Sequence, residues 1–396
     1  MKFFGSKTIY LDHSAKTPVE PRVLSVYTKA IKDFFGNPSS IHTAGVEAEE
    51  QLSFSRSFIA KSFGVPKDGV VFTATGTESI NLAIRGIKSL HQISKPNFIT
   101  TKIEHGAVLS AIQKAVEEQN GEVRFVEIDE AGIVNQKHLA ELIDENTVLV
   151  SIGYANNEIG TVQDIKEISH TIRKAKFRLY NSRTNLIPFF HTDACQAVQY
   201  EEIIIPKLGV DMLSFNGTKI YAPGGGVLIM RENFFLSPIF SGGGQEFGLR
   251  SGTVSVATGV ALSKALEISI TKKENETKRL EELKNYFVSE IKKLEEFDHF
   301  TGSSDYRLPN HVSVCFAGIS SDVLVLSLSR YGIFASGRSA CKEGEEGDSH
   351  VLRAIGESEF TDKAYIRFSF GRSTTKKDLE KTILILKRIF NIQIKK

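Results

Sequence analysis

Short apolar, β-branched runs alternate with helical stretches along most of this 396-residue chain, and this alternation constrains the fold more than any other feature. Strands that are apolar throughout are typical of a parallel sheet covered by helices on both faces. The pattern therefore predicts an α/β protein with a mostly parallel, seven-stranded sheet between helices. The predicted strands are Val70–Thr73, Asn97–Lys102, Val123–Ile128, Thr147–Tyr154, Pro188–Thr192, Met212–Phe215 and Val227–Met230.

The pattern changes after about Val254. A charged amphipathic stretch from Val256 to Leu294 predicts one or two helices, and shorter strands and helices follow it. Because the chain is long for one core, we expect a large domain over 17–255 and a smaller α+β domain over 1–16 and 256–396. The strands predicted there are His311–Phe316, Gly332–Ala335 and Ala364–Ser369, the helices are Asp322–Arg330 and Lys377–Phe390, and Phe177–Leu186 in the large domain is predicted as a surface loop.

The composition argues against several classes of protein. The net charge of +2 comes without a clustered basic segment, so we expect no nucleic-acid partner. No apolar run approaches the length that spans a bilayer, and the first residues lack the apolar region of a signal peptide. The three cysteines have no CxxC spacing, which argues against a disulfide framework or a zinc site. We therefore expect a cytoplasmic protein without a membrane partner.

Two motifs in the large domain place polar residues just after predicted strands. Lys219 lies among turn formers in SFNGTKIYAPGGGVL and could form a Schiff base in a cavity that favours its neutral amine. The alternative is a solvated surface lysine. Gly76 and Thr77 follow another strand at the start of a helix, where free N–H groups and the helix dipole favour a phosphate. The alternative for Thr77 is an ordinary helix cap.

Three further residues have both a functional and a structural interpretation. Asp193 ends a strand in HTDACQ, where it could hold a pyridine nitrogen protonated or simply cap the strand or form a salt bridge. His105 in TKIEHGAV could stack on a planar cofactor and move a proton, or it could cap a helix or pack in the core. Arg367 in the apolar strand YIRFSFGR needs an anionic partner, which could be a substrate carboxylate or a protein carboxylate.

Cys341 is the candidate nucleophile. It lies in ASGRSACKEGEEGDSH, whose glycines and charged residues predict an exposed loop. A free thiol on such a loop is better explained as a nucleophile than as a packing residue. Cys315 in the apolar segment HVSVCF is predicted to be structural, and Cys195 could pack beside a cofactor without taking part in the chemistry.

Together these motifs make the chain resemble the cysteine desulfurases, in the group I form with a long cysteine loop, among the class-V aminotransferase-like enzymes of fold type I that use pyridoxal 5'-phosphate (PLP). The similarity extends over nearly the whole chain, from YLDHSAKTPV to IRFSFGRSTT. The other matching motifs are GNPSSIH, TGTESINLAI, IEHGAV, ANNEIGTVQDI, HTDACQAV, LSFNGTKIY, RSGT, the SAC that contains Cys341, and VLRAIG.

The resemblance implies a role for each cofactor-binding residue. Lys219 would hold PLP covalently, Asp193 would pair with the pyridine nitrogen, and Gln196 would contact the ring oxygen. His105 would stack on the ring and assist proton transfer. Thr253 would reach the phosphate bound in the other subunit, which implies a homodimer. The phosphate and the remaining edge of the cofactor would be held by Gly76, Thr77, Asn156, Asn216 and Thr218.

The resemblance also implies the reaction. Asn37, Asn156 and Arg367 would bind the substrate, L-cysteine. Cys341 would take the substrate's sulfur as a persulfide, leaving L-alanine, and would pass the sulfur to an acceptor protein. That acceptor would be a scaffold for iron–sulfur cluster assembly or an enzyme of transfer-RNA or cofactor thiolation.

Some positions depart from the family pattern. The residues before the lysine are Asn216-Gly217-Thr218 instead of Ser-Gly-His, and Lys16 stands where Thr is usual. Ala222–Gly225 replaces a Gly-Pro-Lys-Gly segment. Gly337-Arg338 precedes the nucleophile where Ser-Gly is usual, and the charge of Arg338 is predicted to favour the thiolate of Cys341.

Three alternatives remain open from the sequence. A selenocysteine lyase or an aminotransferase could share the fold, although neither reaction requires the thiol of Cys341. A PLP-binding sulfur-assembly partner with low activity would be consistent with the unusual residues around Lys219. Alanine production from cysteine, with and without Cys341, separates these possibilities.

Overall fold

The computed structural model describes residues 8–87, 93–180, 187–231, 236–337, 349–357 and 363–393. The strands are β1 (Ile9–Tyr10), β2 (Val70–Thr73), β3 (Asn97–Thr101), β4 (Glu122–Val126), β5 (Thr147–Ser151), β6 (Phe189–Asp193), β7 (Met212–Asn216), β8 (Gly226–Met230), β9 (Phe297–Phe300), β10 (His311–Ala317), β11 (Ile333–Phe334) and β12 (Lys363–Ser369). The helices are α1 (Pro21–Asp33), α2 (Thr43–Phe63), α3 (Gly76–Arg85), α4 (Gly106–Gln119), α5 (Gln136–Leu142), α6 (Ile165–Tyr180), α7 (Ile205–Leu208), α8 (Val256–Ile291), α9 (Ser321–Arg330), α10 (His350–Ala354) and α11 (Lys376–Gln393).

The central element is a seven-stranded sheet with the order β2-β8-β7-β6-β5-β3-β4. The pairs from β7 to β4 are parallel, whereas β8 runs antiparallel to both of its neighbours. Successive side chains of a strand point to opposite faces, so Val70 and Phe72 pack into one core and Val71 into another. Helices α3 and α4 cover the second face, which confirms the predicted α/β architecture.

A second, three-stranded antiparallel sheet has the order β12-β10-β9. The short strand β1 pairs with β11, and Ser369 N–H donates to the Leu11 carbonyl (2.7 Å), so the N-terminal segment joins this part of the molecule. The 36-residue helix α8 contacts α1 and α2 with one part of its length and α11 and β10 with another. The division of the chain stays a prediction, with a large domain over 17–255 and a smaller domain over 1–16 and 256–396.

The structure differs from the predicted elements at the loop after α6. Helix α6 runs to Tyr180, so the surface loop predicted from Phe177 is wrong for its first four residues, and 181–186 lie outside the described residues. The last turn of α6 is tied down by Arg178, which donates to the Ala140 carbonyl at 3.1 Å. The predicted stretch from Val256 is one helix. Within the ranges that the structure describes, no helix combines the length and apolar character needed to cross a membrane.

Candidate active site

A cavity of about 370 Å³ lies where the parallel strands β3, β5, β6 and β7 end, between the large sheet and β12. Ligands bind at the carboxyl ends of strands in open α/β sheets, and this volume falls in the usual range for small-molecule sites. Ten of the predicted site residues line it: Gly76, Thr77, His105, Asn156, Asp193, Gln196, Asn216, Thr218, Lys219 and Arg367.

Lys219 ends a 3-10 turn that follows β7 directly. The Asn216 side chain caps this turn by accepting the Thr218 N–H at 3.0 Å. The Lys219 ammonium Nζ donates to the carbonyls of Ser14 and Ala15, at 2.6 and 2.5 Å. The alternative of a solvated surface lysine is therefore wrong, because the amine lies at the wall of the cavity.

The start of α3 forms one end of the cavity, where Gly76 and Thr77 line it. Thr75, not Thr77, caps the helix by accepting the Glu78 N–H at 3.2 Å, so the alternative role of Thr77 as a helix cap is wrong. A Cβ on Gly76 would lie 3.0 Å from Asn216 Cβ and 3.1 Å from Cys195 Sγ. Any larger residue would be tightly packed against these neighbours. The first N–H groups of a helix lack partners within the helix, so this end of the cavity is suited to an anion.

Asp193 and His105 take their structural roles and also line the cavity. Asp193 Oδ1 accepts the Cys195 N–H at 2.9 Å, which caps the end of β6. His105 Nδ1 accepts the Ala107 N–H at 3.1 Å, which caps α4. These bonds hold the two side chains in place, and both residues line the cavity. The two interpretations of each residue are compatible.

Arg367 enters the cavity from β12 and is only 6% exposed. Its Nη2 donates to Asp12 Oδ1 at 2.7 Å and its Nη1 to the Asn157 carbonyl at 2.9 Å. Its Nε–H has no hydrogen-bond partner among the described residues. A buried guanidinium with an unsatisfied donor is suited to bind a carboxylate that enters the cavity.

Glu104 is a cavity residue that the sequence analysis did not select. Burial raises the pKa of its carboxyl to about 7, against the opposing effect of hydrogen bonds from Thr101 Oγ1 (2.7 Å) and Gly153 N–H (2.9 Å). Its own carbonyl accepts a hydrogen bond from His350 Nε2 at 2.9 Å. The signal was present in TKIEHGAV, because Glu104 follows an apolar strand as Asp193 does.

Asn156 lines the cavity with its side chain already engaged. Its Nδ2 donates to the Ile103 carbonyl at 2.7 Å, and its Oδ1 accepts the N–H groups of Glu158 and Ile159.

The buried Cys315 has the structural place predicted for it, with no exposed surface. Cys195 lies against the cavity, and burial raises the pKa of its thiol well above the usual range.

The structure does not bring every predicted residue to the cavity. Asn37 is exposed, and its Oδ1 accepts the Ser39 N–H at 3.0 Å. Thr253 is also exposed and is not part of the cavity wall in this single chain. Cys341 and Arg338 belong to residues 338–348, which lie outside the described residues.

Comparisons with known proteins show the family to which the chain belongs. The model of the family "Aminotransferase class-V" matches residues 9–382. Cysteine desulfurase IscS of Dictyoglomus turgidum is 36% identical over 97% of this chain and 94% of its own length. The structure of a NIFS-like protein superimposes with a TM-score of 0.88 at 32% identity, covering 98% of this chain and all of that one. A structure described as SspA in complex with cysteine has a TM-score of 0.76 at 32% identity, over 92% of this chain and 99% of that one.

The chain therefore belongs to the class-V aminotransferase family, as its sheet and the cavity at the strand ends indicate. Within that family it is a member of the cysteine desulfurases, which it matches over nearly its full length. This family uses PLP, and the donor set of the cavity fits that cofactor. A lysine amine, a carboxylate at a strand end and a helix N-terminus with a close-packed glycine all line one cavity.

Proposed function

We propose that this protein binds PLP in the cavity and converts L-cysteine to L-alanine, with the sulfur transferred to Cys341 as a persulfide. The observation that carries the proposal is the position of Lys219 Nζ. It lies at the wall of a cavity that also contains Asp193 and the open N-terminus of α3. When bound, the cofactor supplies an electron sink for the charge that develops as the substrate Cα loses a proton.

The chain's own residues determine how the cofactor is held. Lys219 would bind it through Nζ, and the carbonyls of Ser14 and Ala15 would then be released from that amine. Asp193, which lines the cavity at the end of β6, would keep a positive charge on the ring nitrogen. The N–H groups of α3, Thr77, Asn216 and Thr218 would hold the phosphate, and Gln196, fixed by its bond to the Ser14 carbonyl (2.9 Å), would hold the ring oxygen.

Substrate binding would depend on Arg367. Its unsatisfied Nε–H and its buried charge suit the carboxylate of an amino acid. Asn156 would shape the wall beside that carboxylate, and Asn37 would complete the site from its exposed segment. The solved structure of SspA in complex with cysteine supports an amino-acid site in this fold.

Proton transfer would use groups that meet at the ends of β3 and β7. His105 is held by its bond to the Ala107 N–H, so its ring has a fixed orientation over the cavity. The Lys219 amine, which also lines the cavity, would accept the Cα proton of the substrate and return it. In the transfer to Cys341, the Cβ–S bond of cysteine would break and an S–S bond to Cys341 would form. A thiol and cysteine thus give a persulfide and alanine, with all atoms and electrons accounted for.

The chain on both sides of Cys341 is anchored beside the cavity. The N–H of Arg367 donates to the Ser336 carbonyl at 2.8 Å, and Ser349 Oγ donates to Glu158 Oε2 at 2.6 Å. Cys341 is five residues from Ser336, and five residues of extended chain span at most about 18 Å. The Cα atom of Cys341 can therefore lie no more than about 18 Å from that of Ser336, whose carbonyl is bonded to the cavity residue Arg367.

We further propose a homodimer in which Thr253 reaches the phosphate in the other subunit. Large apolar side chains are exposed in this single chain, including Phe35, Ile41, Phe54 and Phe247. An apolar surface of this kind is typical of a protein interface. The dimer would work in the cytoplasm, where free thiols persist. It would deliver sulfur to an acceptor protein of iron–sulfur cluster assembly or of thiolation.

The experiment measures alanine and sulfide formed from L-cysteine by the purified, PLP-loaded protein with a reducing thiol present. We expect both products from the wild type and neither from Lys219→Ala. Cys341→Ala should keep the yellow cofactor and lose alanine production. Alanine at the wild-type rate from Cys341→Ala, or transamination of a keto acid, would overturn the proposal, and a colourless wild type would favour a binding partner without activity.

A further inference from the structure

Residues 245–253, which end at Thr253, run along the free edge of the seven-stranded sheet. The outermost strand β2 pairs with β8 and leads into the turn that presents Gly76 and Thr77. An edge strand leaves backbone groups without a strand partner on its outer side. In this protein two Arg–Glu pairs cover that edge and the following turn.

The first pair joins Arg56 of α2 to Glu246. The two guanidinium nitrogens donate to the two carboxylate oxygens at 2.8 and 2.5 Å, and the side chains are 9% and 1% exposed. Glu246 also accepts the Phe72 N–H of β2 at 2.7 Å, and Arg56 donates to the Val70 carbonyl at 2.5 Å. The pair therefore satisfies the outer edge of β2. The guanidinium also lies between the rings of Phe72 and Phe247.

The backbone at this point is strained. Glu246 and Phe247 have φ angles of 51° and 59°, a region that costs a non-glycine residue about 1 kcal/mol or more. Such strain persists only where surrounding contacts determine the conformation, and it is concentrated at functional sites. The contacts of Arg56 with Glu246 and Phe247 maintain it in this segment.

The second pair joins Arg250 to Glu78 in the first turn of α3. Arg250 Nε donates to Glu78 Oε1 at 2.8 Å, and Glu78 Oε2 accepts the Ala74 N–H at 2.6 Å. The same carboxylate thus holds the segment and the turn before Gly76. Gln245 Oε1 accepts the Gly252 N–H at 2.8 Å, which closes the segment on itself just before Thr253.

We propose that residues 245–253 are a positioning element for the cofactor phosphate. Glu246 fixes the segment to β2, and Arg250, through Glu78, holds the turn from Ala74 to Thr77 in its phosphate-binding shape. Thr77 would bind the phosphate in its own subunit, and Thr253 would bind the phosphate in the partner subunit. Both residues are then positioned by the same segment, residues 245–253. The inference rests on the proposed function, since it takes PLP phosphate to be the anion bound at α3.

The test titrates the cofactor-free protein with PLP and, separately, with pyridoxal, which lacks the phosphate. Binding is followed by the absorbance of the cofactor on Lys219. We expect Arg250→Gln to weaken PLP binding by about tenfold and to leave pyridoxal binding unchanged, because only the phosphate depends on the turn. Arg250→Lys should lie between that variant and the wild type.

The matched control is Arg85→Gln. Arg85 lies at the end of α3, pairs with Glu118 of α4 at 2.7 Å, and is about as exposed as Arg250, but neither residue of this pair lines the cavity. We expect it to bind both ligands as the wild type does. An unchanged PLP affinity in Arg250→Gln, or an equal loss of affinity for PLP and pyridoxal, would overturn this inference and leave the proposed function standing. A wild type that does not bind PLP overturns the proposed function as well, so the two failures are distinct.

Discussion

The two sheets of the molecule contribute to the cavity in different ways. Parallel strands of the large sheet end at one edge, so the turns after β3, β6 and β7 bring His105, Asp193 and Lys219 together. In the antiparallel sheet, neighbouring strands end at opposite edges, and Arg367 of β12 is its one residue among those that line the cavity. The large sheet is therefore suited to hold the cofactor, and the small sheet to select the substrate.

This difference implies that cofactor binding and substrate binding can be lost separately. Substitutions at the ends of the large-sheet strands should remove the cofactor together with the activity. Substitutions on β12 should leave the cofactor bound and change only the response to cysteine. Substitutions of Lys219, Arg367 and Thr218 test this separation, and a substitution of Glu104 tests the buried carboxyl at the same cavity.

The largest effect is expected for Lys219→Ala. Removal of the amine would delete both the proposed covalent attachment and the proposed base, and general base groups alone contribute about 10²–10⁴-fold in rate. We expect the rate of alanine formation to fall by about 10³-fold or more, measured by amino-acid analysis. Lys207→Ala removes an exposed lysine of α7 and is the control, which should retain the wild-type rate. Activity within tenfold of wild type in Lys219→Ala would contradict the assignment.

Glu104→Gln is expected to change the pH dependence of stability. The carboxyl pKa is about 7 in the folded protein against an ordinary 4.5, so the folded state holds the proton more tightly. Its contribution to the free energy of unfolding is complete below about pH 4.5 and is lost as the pH rises through 7. The wild type should lose about 3 kcal/mol relative to the variant across that range.

Urea unfolding of the cofactor-free proteins at several pH values measures this difference. The control is Glu141→Gln, an exposed residue of α5, which should follow the wild type. A difference between wild type and Glu104→Gln that does not vary from pH 4.5 to 8 would mean that Glu104 is ionised in the folded protein.

Arg367→Lys tests the small sheet. Lysine cannot reproduce the planar donor set that contacts Asp12 and Asn157, and loss of one buried charged contact costs about 2 kcal/mol. We expect KM for cysteine to rise roughly thirtyfold while PLP binding stays unchanged. Arg372→Lys, which pairs with Glu20 outside the cavity, is the control. Loss of PLP from Arg367→Lys would break the separation between the sheets.

The smallest effect is expected for Thr218→Val. The Thr218 hydroxyl donates to Asn216 Oδ1 at 3.0 Å and so acts mainly within its own turn. A neutral hydrogen bond contributes about 1 kcal/mol, so PLP affinity should fall by about fivefold or less in an equilibrium titration. A loss greater than that would indicate that the Thr218 hydroxyl contributes more to phosphate binding than its bond to Asn216 Oδ1 leaves for it.

Strands β2 to β8 and helices α8, α9 and α11 were predicted from the sequence because they depend on local periodicity, whereas β1, β9 and the 21-residue helix α2 were not predicted. The end of α6 did not, since it depends on the contact of Arg178 with the distant Ala140 carbonyl. The pairing of Arg367 with Asp12, 355 positions apart, is likewise a product of topology. Polar strand ends pointed to Lys219, Asp193 and His105 singly, but only the sheet order shows that they share a cavity.

In the proposed reaction, the sulfur leaves cysteine only when Cys341 accepts it. The most direct measurement mixes PLP-loaded protein with limiting cysteine, without a reducing thiol, and quantifies alanine and the mass of the Cys341 peptide. We expect one alanine for each sulfur added to Cys341 and neither product from Cys341→Ala, with Cys315→Ala behaving as the wild type. Alanine released without a sulfur on Cys341, or formed by Cys341→Ala, would contradict the claim.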